Sequence, residues 1–152
     1  MKPPSPNSLQ AHVGFWLRYV SNHVSHAFKL KVEAHGVTVA EWVVLRAVFD
    51  ADDVNPSEVA ERLGMTRGAI SKLVDRLVGK HLVKCTAETG DRRFQSLALT
   101  PAGRKLVPVL AALADQNDAE FFGRLTDEQR SGLLALLKDI VRERQLKDVP
   151  VN

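Results

Sequence analysis

Apolar and polar positions recur at helical spacing over most of this chain. Leu9, Val13, Trp16, Val20, Val24, Ala27 and Lys31 follow steps of three and four, which predicts a long amphipathic helix over 9–35. Gly36, suited to a left-handed C-terminal position, ends it. Thr38 with Glu41 forms a capping-box pattern that opens a second helix over about 38–50. The polar run Asp50-Ala51-Asp52-Asp53 closes that helix, and Asn55 caps a short third one with Pro56 in its first turn. Gly64 stops the third helix, and Thr66 caps a fourth that runs to about Gly79.

The spacing changes after Gly79. Leu82 to Glu88 and Arg93 to Leu99 read as two strands joined by Thr89-Gly90-Asp91-Arg92. Thr100-Pro101 opens a fifth helix to about Arg124, with Leu106, Leu110, Leu113, Asn117 and Phe121 on one stripe. Pro108 lies inside it and is expected to kink it. Thr126 with Gln129 caps a last helix, in which Leu133, Leu136, Leu137, Ile140 and Val141 recur at helical spacing. The predicted order is α-α-α-α-β-β-α-α, mainly α with one small β-hairpin.

The third and fourth helices form a pair. Val59, Ala60 and Leu63 face inward from one, and Ile70, Leu73, Val74 and Leu77 from the other. The small Ala60 allows a close crossing, and Gly64 a tight turn. Outward lie Arg67, Ser71, Lys72, Asp75 and Arg76. The N-terminal residues Thr66 to Lys72 are those a helix-turn-helix directs at base edges in the major groove. Gly68 and Ala69 are small enough to let that end approach the bases, while Arg67 and Lys72 suit guanine edges or phosphates. Arg76 and Lys84 are candidates for phosphate contact. The hairpin tip carries Asp91, Arg92 and Arg93 beside Gly90, and arginine is favoured in a narrow minor groove.

Charge agrees with this placement. Residues 56–105 hold ten Lys/Arg against five acids, a local +5 in a chain whose net charge is +3. With 152 residues, the chain fits one domain or a small module plus a dimerisation element. The longest apolar runs, such as 109–114, fall far short of the roughly 20 residues that span a bilayer. Met1 to Gln10 is polar and proline-rich, unlike a signal peptide, and a lone Cys85 excludes an intrachain disulfide. A cytoplasmic protein is expected. No nucleophile elbow, phosphate loop, dinucleotide fingerprint or metal-ligand set is present, so catalysis, a cofactor and a metal are not expected.

Residues 56–103 resemble the winged helix-turn-helix of the MarR family of bacterial transcriptional regulators. The segment 91–100, DRRFQSLALT, is similar to that family's Asp-x-Arg then Leu-Thr wing motif, with Asp91, Arg93, Leu99 and Thr100 on its positions. The resemblance implies that Arg93 enters the minor groove, that Asp91 orients it, and that Arg92 lies at the backbone. It extends over about 9–146. It further implies a homodimer interlocked through its first and last helices, a palindromic operator on double-stranded DNA, and a repressor released by a small aromatic or phenolic ligand. The expected partition is a disordered arm at 1–8, a helical dimerisation region at 9–36 and 104–147, and a winged helix-turn-helix at 37–103.

The dimer also has support from the residues, since Phe121, Phe122, Leu125, Leu133, Leu137 and Ile140 need a partner surface. Trp16, Tyr19 and His23, with Trp42 and Arg46, are candidates for a pocket taking an aromatic carboxylate, although the two tryptophans also suit a plain core. His23 and His26 make only an incomplete metal pair. Cys85 reads as a small strand residue or a redox sensor, with Lys84 expected to lower its pKa slightly. Two other functions fit the same residues: an architectural DNA binder without effector, and a winged-helix protein-interaction module.

Overall fold

A computed structural model describes residues 1, 5–51, 53–87 and 95–147. Among the described residues, six α-helices and two antiparallel strands follow the predicted order: α1 (Val13–Glu33), α2 (Val39–Asp50), α3 (Pro56–Leu63), α4 (Arg67–Gly79), β1 (Val83–Ala87), β2 (Gln95–Leu99), α5 (Pro101–Phe122) and α6 (Asp127–Glu143).

Caps set most of the boundaries. The Thr38 hydroxyl accepts from the Glu41 amide (3.1 Å) while the Glu41 carboxylate accepts from the Thr38 amide (3.3 Å), the reciprocal pair expected from the sequence. Thr126 and Gln129 repeat it at α6. Gly64 ends α3 in the left-handed region at φ 63°, which a side chain would strain.

The first helix differs from the single run expected over 9–35. Leu9–Ala11 form a 3-10 turn, His12 is extended, and α1 starts at Val13. The Trp16 indole donates to the Gln10 carbonyl (2.9 Å), which folds the turn back on the helix start. Pro108 does not interrupt α5. It stands on the exposed side, where water can serve the carbonyl its missing N–H leaves behind.

The core joins α2, α3, α4, the hairpin and α5. Leu45, Leu77, Leu97 and Leu110 are completely buried in it, and truncating such a leucine to alanine costs about 2–5 kcal/mol. β1 and β2 are antiparallel, with Cys85 opposite Leu97. Val54 adds an unpredicted bridge, exchanging backbone hydrogen bonds with Leu97 at 3.2 and 2.8 Å. Its only signal was one apolar residue in a polar stretch.

By contrast, α1 buries only Val32 and α6 buries none of its residues. A polar lock holds α1 to α5: the Lys31 ammonium donates to Asn117 (3.0 Å) and Glu120 (2.8 Å), and the buried Asn117 donates to the Val24 carbonyl (3.1 Å).

Candidate nucleic-acid interface

The pairing of α3 with α4 follows from their apolar faces. Val59 and Ala60 of α3 and Ile70, Leu73, Val74 and Leu77 of α4 are buried, as the sequence pattern required. The remaining face of α4 is therefore left to solvent. Its start is fixed by Thr66, whose hydroxyl accepts from the Ala69 amide at 3.1 Å.

Thr66, Arg67, Gly68, Ser71, Lys72 and Arg76 are exposed, while Ala69 is half-buried and turned toward the body. Helical geometry sorts the exposed residues into two rows. Gly68, Lys72 and Arg76 form one, cationic and free of acids. Arg67, Ser71 and Asp75 form the other, which borders a cleft of about 830 Å³ between α4, the start of α3 and the hairpin. A Cβ added at Gly68 meets nothing within 4 Å, so that end of the helix is open to a close approach.

Strand alternation supplies one further cation. Val83 is buried, Lys84 exposed and Cys85 half-buried, so Lys84 projects away from the core. The wing residues Asp91, Arg92 and Arg93 lie outside the described residues. At the exit of β2, Thr100 is seen in a structural role: it caps α5 and donates to the His81 carbonyl (2.7 Å).

The residues considered for a ligand pocket do not come together within one chain. Trp16 and Tyr19 cluster with Phe15, and Tyr19 with His23, near the start of α1. Trp42 instead packs edge-on against Phe28 at 6.4 Å. Phe28 is twelve residues beyond Trp16, about 18 Å along the helix. Nor is Trp16 core, being half exposed. Arg46 pairs with Asp50 (3.0 Å) and lies 5.5 Å over the Phe49 ring. Trp42 and Arg46 line a shallow groove of about 320 Å³ with Arg62 and Leu63, between α2 and α3. Sequence spacing placed these residues on faces; only the helix crossing decided which faces met.

Cys85 also departs from expectation. Burial, and then the negative charge of Asp75, push its thiol up rather than down. Lys84 points to the other side of the strand and does not offset them. That upward direction disfavours the thiolate that a reactive cysteine needs.

A helix with an exposed cationic face, packed through its apolar face on a short partner helix beside a β-hairpin, defines a winged helix-turn-helix DNA-binding protein. Comparison with known proteins makes the assignment narrower. Residues 35–93 match the model of the MarR family, and the chain belongs to that family. It is 31% identical over 120 residues to the uncharacterized HTH-type transcriptional regulator YhjH of Bacillus subtilis (strain 168), covering 74% of this chain and 68% of that one. The fold superposes on Bordetella bronchiseptica BpsR, whose DNA binding is regulated by 6-hydroxynicotinic acid (TM-score 0.77, 26% identity, 90% of this chain and 97% of that one). It likewise matches Rhodococcus jostii RHA1 CouR, solved bound to p-coumaroyl-CoA (TM-score 0.76, 25% identity, 96% and 100%). The protein is a DNA-binding transcriptional regulator of this family, and its relatives are regulators rather than enzymes. Among the described residues no helix is long and apolar enough to cross a membrane.

Proposed function

We propose that the chain acts as a homodimer on a palindromic operator, as a repressor released by a small aromatic or carboxylate ligand. The observation that carries the dimer is the apolar surface left uncovered on α1 and α6. Leu17, Val20, Leu133, Leu134, Leu137, Ile140 and Val141 are all exposed there, at about 37–48% of their free surface. Such continuous apolar faces are stable when a second copy covers them. Residues 9–36 and 104–147 then form the dimerisation region, and two copies of α4 stand about one DNA turn apart, ~34 Å.

In this reading Thr66, Arg67, Ser71 and Lys72 read the major groove, with Gly68 and the Ala69 backbone close to the bases. Arg76 and Lys84 hold phosphate, Arg93 reads the minor groove with Asp91 orienting it, and Arg92 lies at the backbone. Aromatic acyl and heteroaromatic ligands of BpsR and CouR support the effector class. The relevant site is one completed by the partner copy, since Trp16, Tyr19 and His23 do not meet Trp42 within one chain.

Genomic selection tests this directly: full-length protein, fragmented genomic DNA, and sequencing of what is retained at about 150 mM salt. One enriched palindrome bound by two copies is the expected result. Uniform retention would favour an architectural binder, and no retention a protein-interaction module. The Arg76→Ala and Lys84→Ala variants should each weaken binding evenly across sequences and lower the salt slope by about one, as loss of a phosphate contact does. For the effector, aromatic carboxylates are titrated against the operator complex. Failure of all of them to release DNA counts against the repressor mechanism.

A further inference from the structure

The far end of the recognition helix is held in an unusual way. Lys80 caps α4, and its ammonium donates to two acceptors: the buried Glu41 carboxylate at 2.7 Å and the Gly36 carbonyl at 2.8 Å. Glu41 is 1% exposed and lies in the first turn of α2, where it also caps Thr38. Gly36 closes the corner after α1, at φ 81°. One side chain therefore binds the end of the recognition helix to both sides of the α1–α2 corner.

The opposite side of the same turn is pinned to α5. Thr100 donates its hydroxyl to the His81 carbonyl (2.7 Å) and its amide to the Leu82 carbonyl (3.1 Å). Gly103, in the first turn of α5, lies so close to the Leu82 carbonyl that no Cβ fits between them. The chain crosses between these anchors with His81 in the left-handed region at φ 59°, where the Leu82 amide donates to the Leu77 carbonyl (3.0 Å) and ends the helix. Both arms of the helical region that flanks the DNA-binding unit thus converge on residues 79–82.

We propose that this turn is the pivot that sets the angle of the recognition helix on the dimer, with Lys80 as its positioning residue. The inference rests on the dimeric reading above. From Lys80 back to Arg67 the helix is a lever of about 20 Å. A tilt of roughly 10° at the pivot moves Arg67 by about 3.5 Å, close to the spacing of adjacent base pairs. Ile70, Leu73, Val74 and Leu77 hold α4 in the core, and the clamp adds a directional restraint at its Lys80 end that the base readers near Arg67 feel through this lever. The half-exposed Lys80 ammonium also gives the buried Glu41 carboxylate its partner, and an ammonium shared by that carboxylate and the Gly36 carbonyl fixes direction, which an apolar contact does not.

The test compares full-length wild type with the double variant Glu41→Gln, Lys80→Met. The glutamine side chain keeps the capping box and leaves no unpaired buried charge, so the variant should fold, which a thermal melt checks. Each protein is titrated with the selected operator and with versions carrying one base pair more or fewer at the centre. Wild type should lose at least about tenfold on altered spacing, the size of a lost base contact. The double variant should bind all three within about threefold of one another, and Lys80→Arg, which keeps both donors, should restore discrimination. A double variant that keeps the wild-type ratio, or weakens equally on all three, overturns the pivot. Wild type indifferent to spacing overturns both the pivot and the palindromic dimer, and so is told apart from failure of the pivot alone. A variant that does not fold hands the same comparison to Thr100→Ser and Thr100→Ala, the first retaining and the second losing both the hydroxyl bond to His81 and the α5 cap, with a thermal melt checking that each folds. Equal discrimination in those two would likewise overturn it.

Discussion

Gly68→Ala separates the interface reading from the fold more sharply than any charge removal. Gly68 is the second residue of α4, after the Thr66 cap and Arg67. A Cβ there meets no atom within 4 Å and the backbone is ordinary helix, so the free protein has no steric objection to alanine. Replacing glycine inside a helix with alanine stabilises by up to about 1 kcal/mol. For a chain of this size that raises the melting temperature by about 2–4 °C. The bound state should respond with the opposite sign. If the start of α4 lies against the base edges, the new methyl occupies the space a base needs. One disturbed base contact costs about 1–3 kcal/mol, roughly 5- to 150-fold in Kd. Differential scanning fluorimetry and operator titration at about 150 mM salt measure the two effects on the same sample. A raised melting temperature with unchanged affinity would place Gly68 away from the bases and refute the assignment of this helix end as the reader. A lowered melting temperature would instead refute the open surroundings of the residue.

The remaining predictions concern the scaffold. Gly103→Ala should destabilise by about 1–3 kcal/mol in urea unfolding, because its methyl must displace the Leu82 carbonyl; an unchanged midpoint would show that α5 sits further from the turn. Cys85 should alkylate with iodoacetamide more slowly than a free thiol at pH 8, and Asp75→Asn should accelerate it, since burial and then Asp75 raise the thiol's pKa. The Glu120 carboxyl is held below its usual range by hydrogen bonds from Lys31 and then Gln116. A lowered folded-state value means its stabilisation is present above the ordinary carboxylate range and is lost as pH falls through the lowered one. Melting temperatures of wild type and Glu120→Gln should therefore differ at neutral pH and converge in acid, and a gap that persists in strong acid would refute the lock.

The helices were legible because their signals are local. Thr38 with Glu41, Asn55 with Pro56, Thr66, Thr100 with Pro101, and Thr126 with Gln129 each act over one turn of backbone, and each caps the helix expected of it. The α4 reading face was equally legible, since burying Ile70, Leu73 and Leu77 forces Arg67, Lys72 and Arg76 outward. Local signals thus specify the elements, their order and which side of each is polar. They do not specify which faces meet. Trp16 and Trp42 lie on similar apolar stripes, yet one is half exposed and the other packs on Phe28, because the α1–α2 corner brings only the far end of α1 over α2. The direction of the Cys85 shift depended on Asp75, ten residues away in sequence, rather than on adjacent Lys84. The clamp on Lys80 joins residues 36, 41 and 80, and Thr100 closes the other side. Contacts of that kind depend on how helices cross, and crossing is set by the summed packing of many side chains rather than by any short segment.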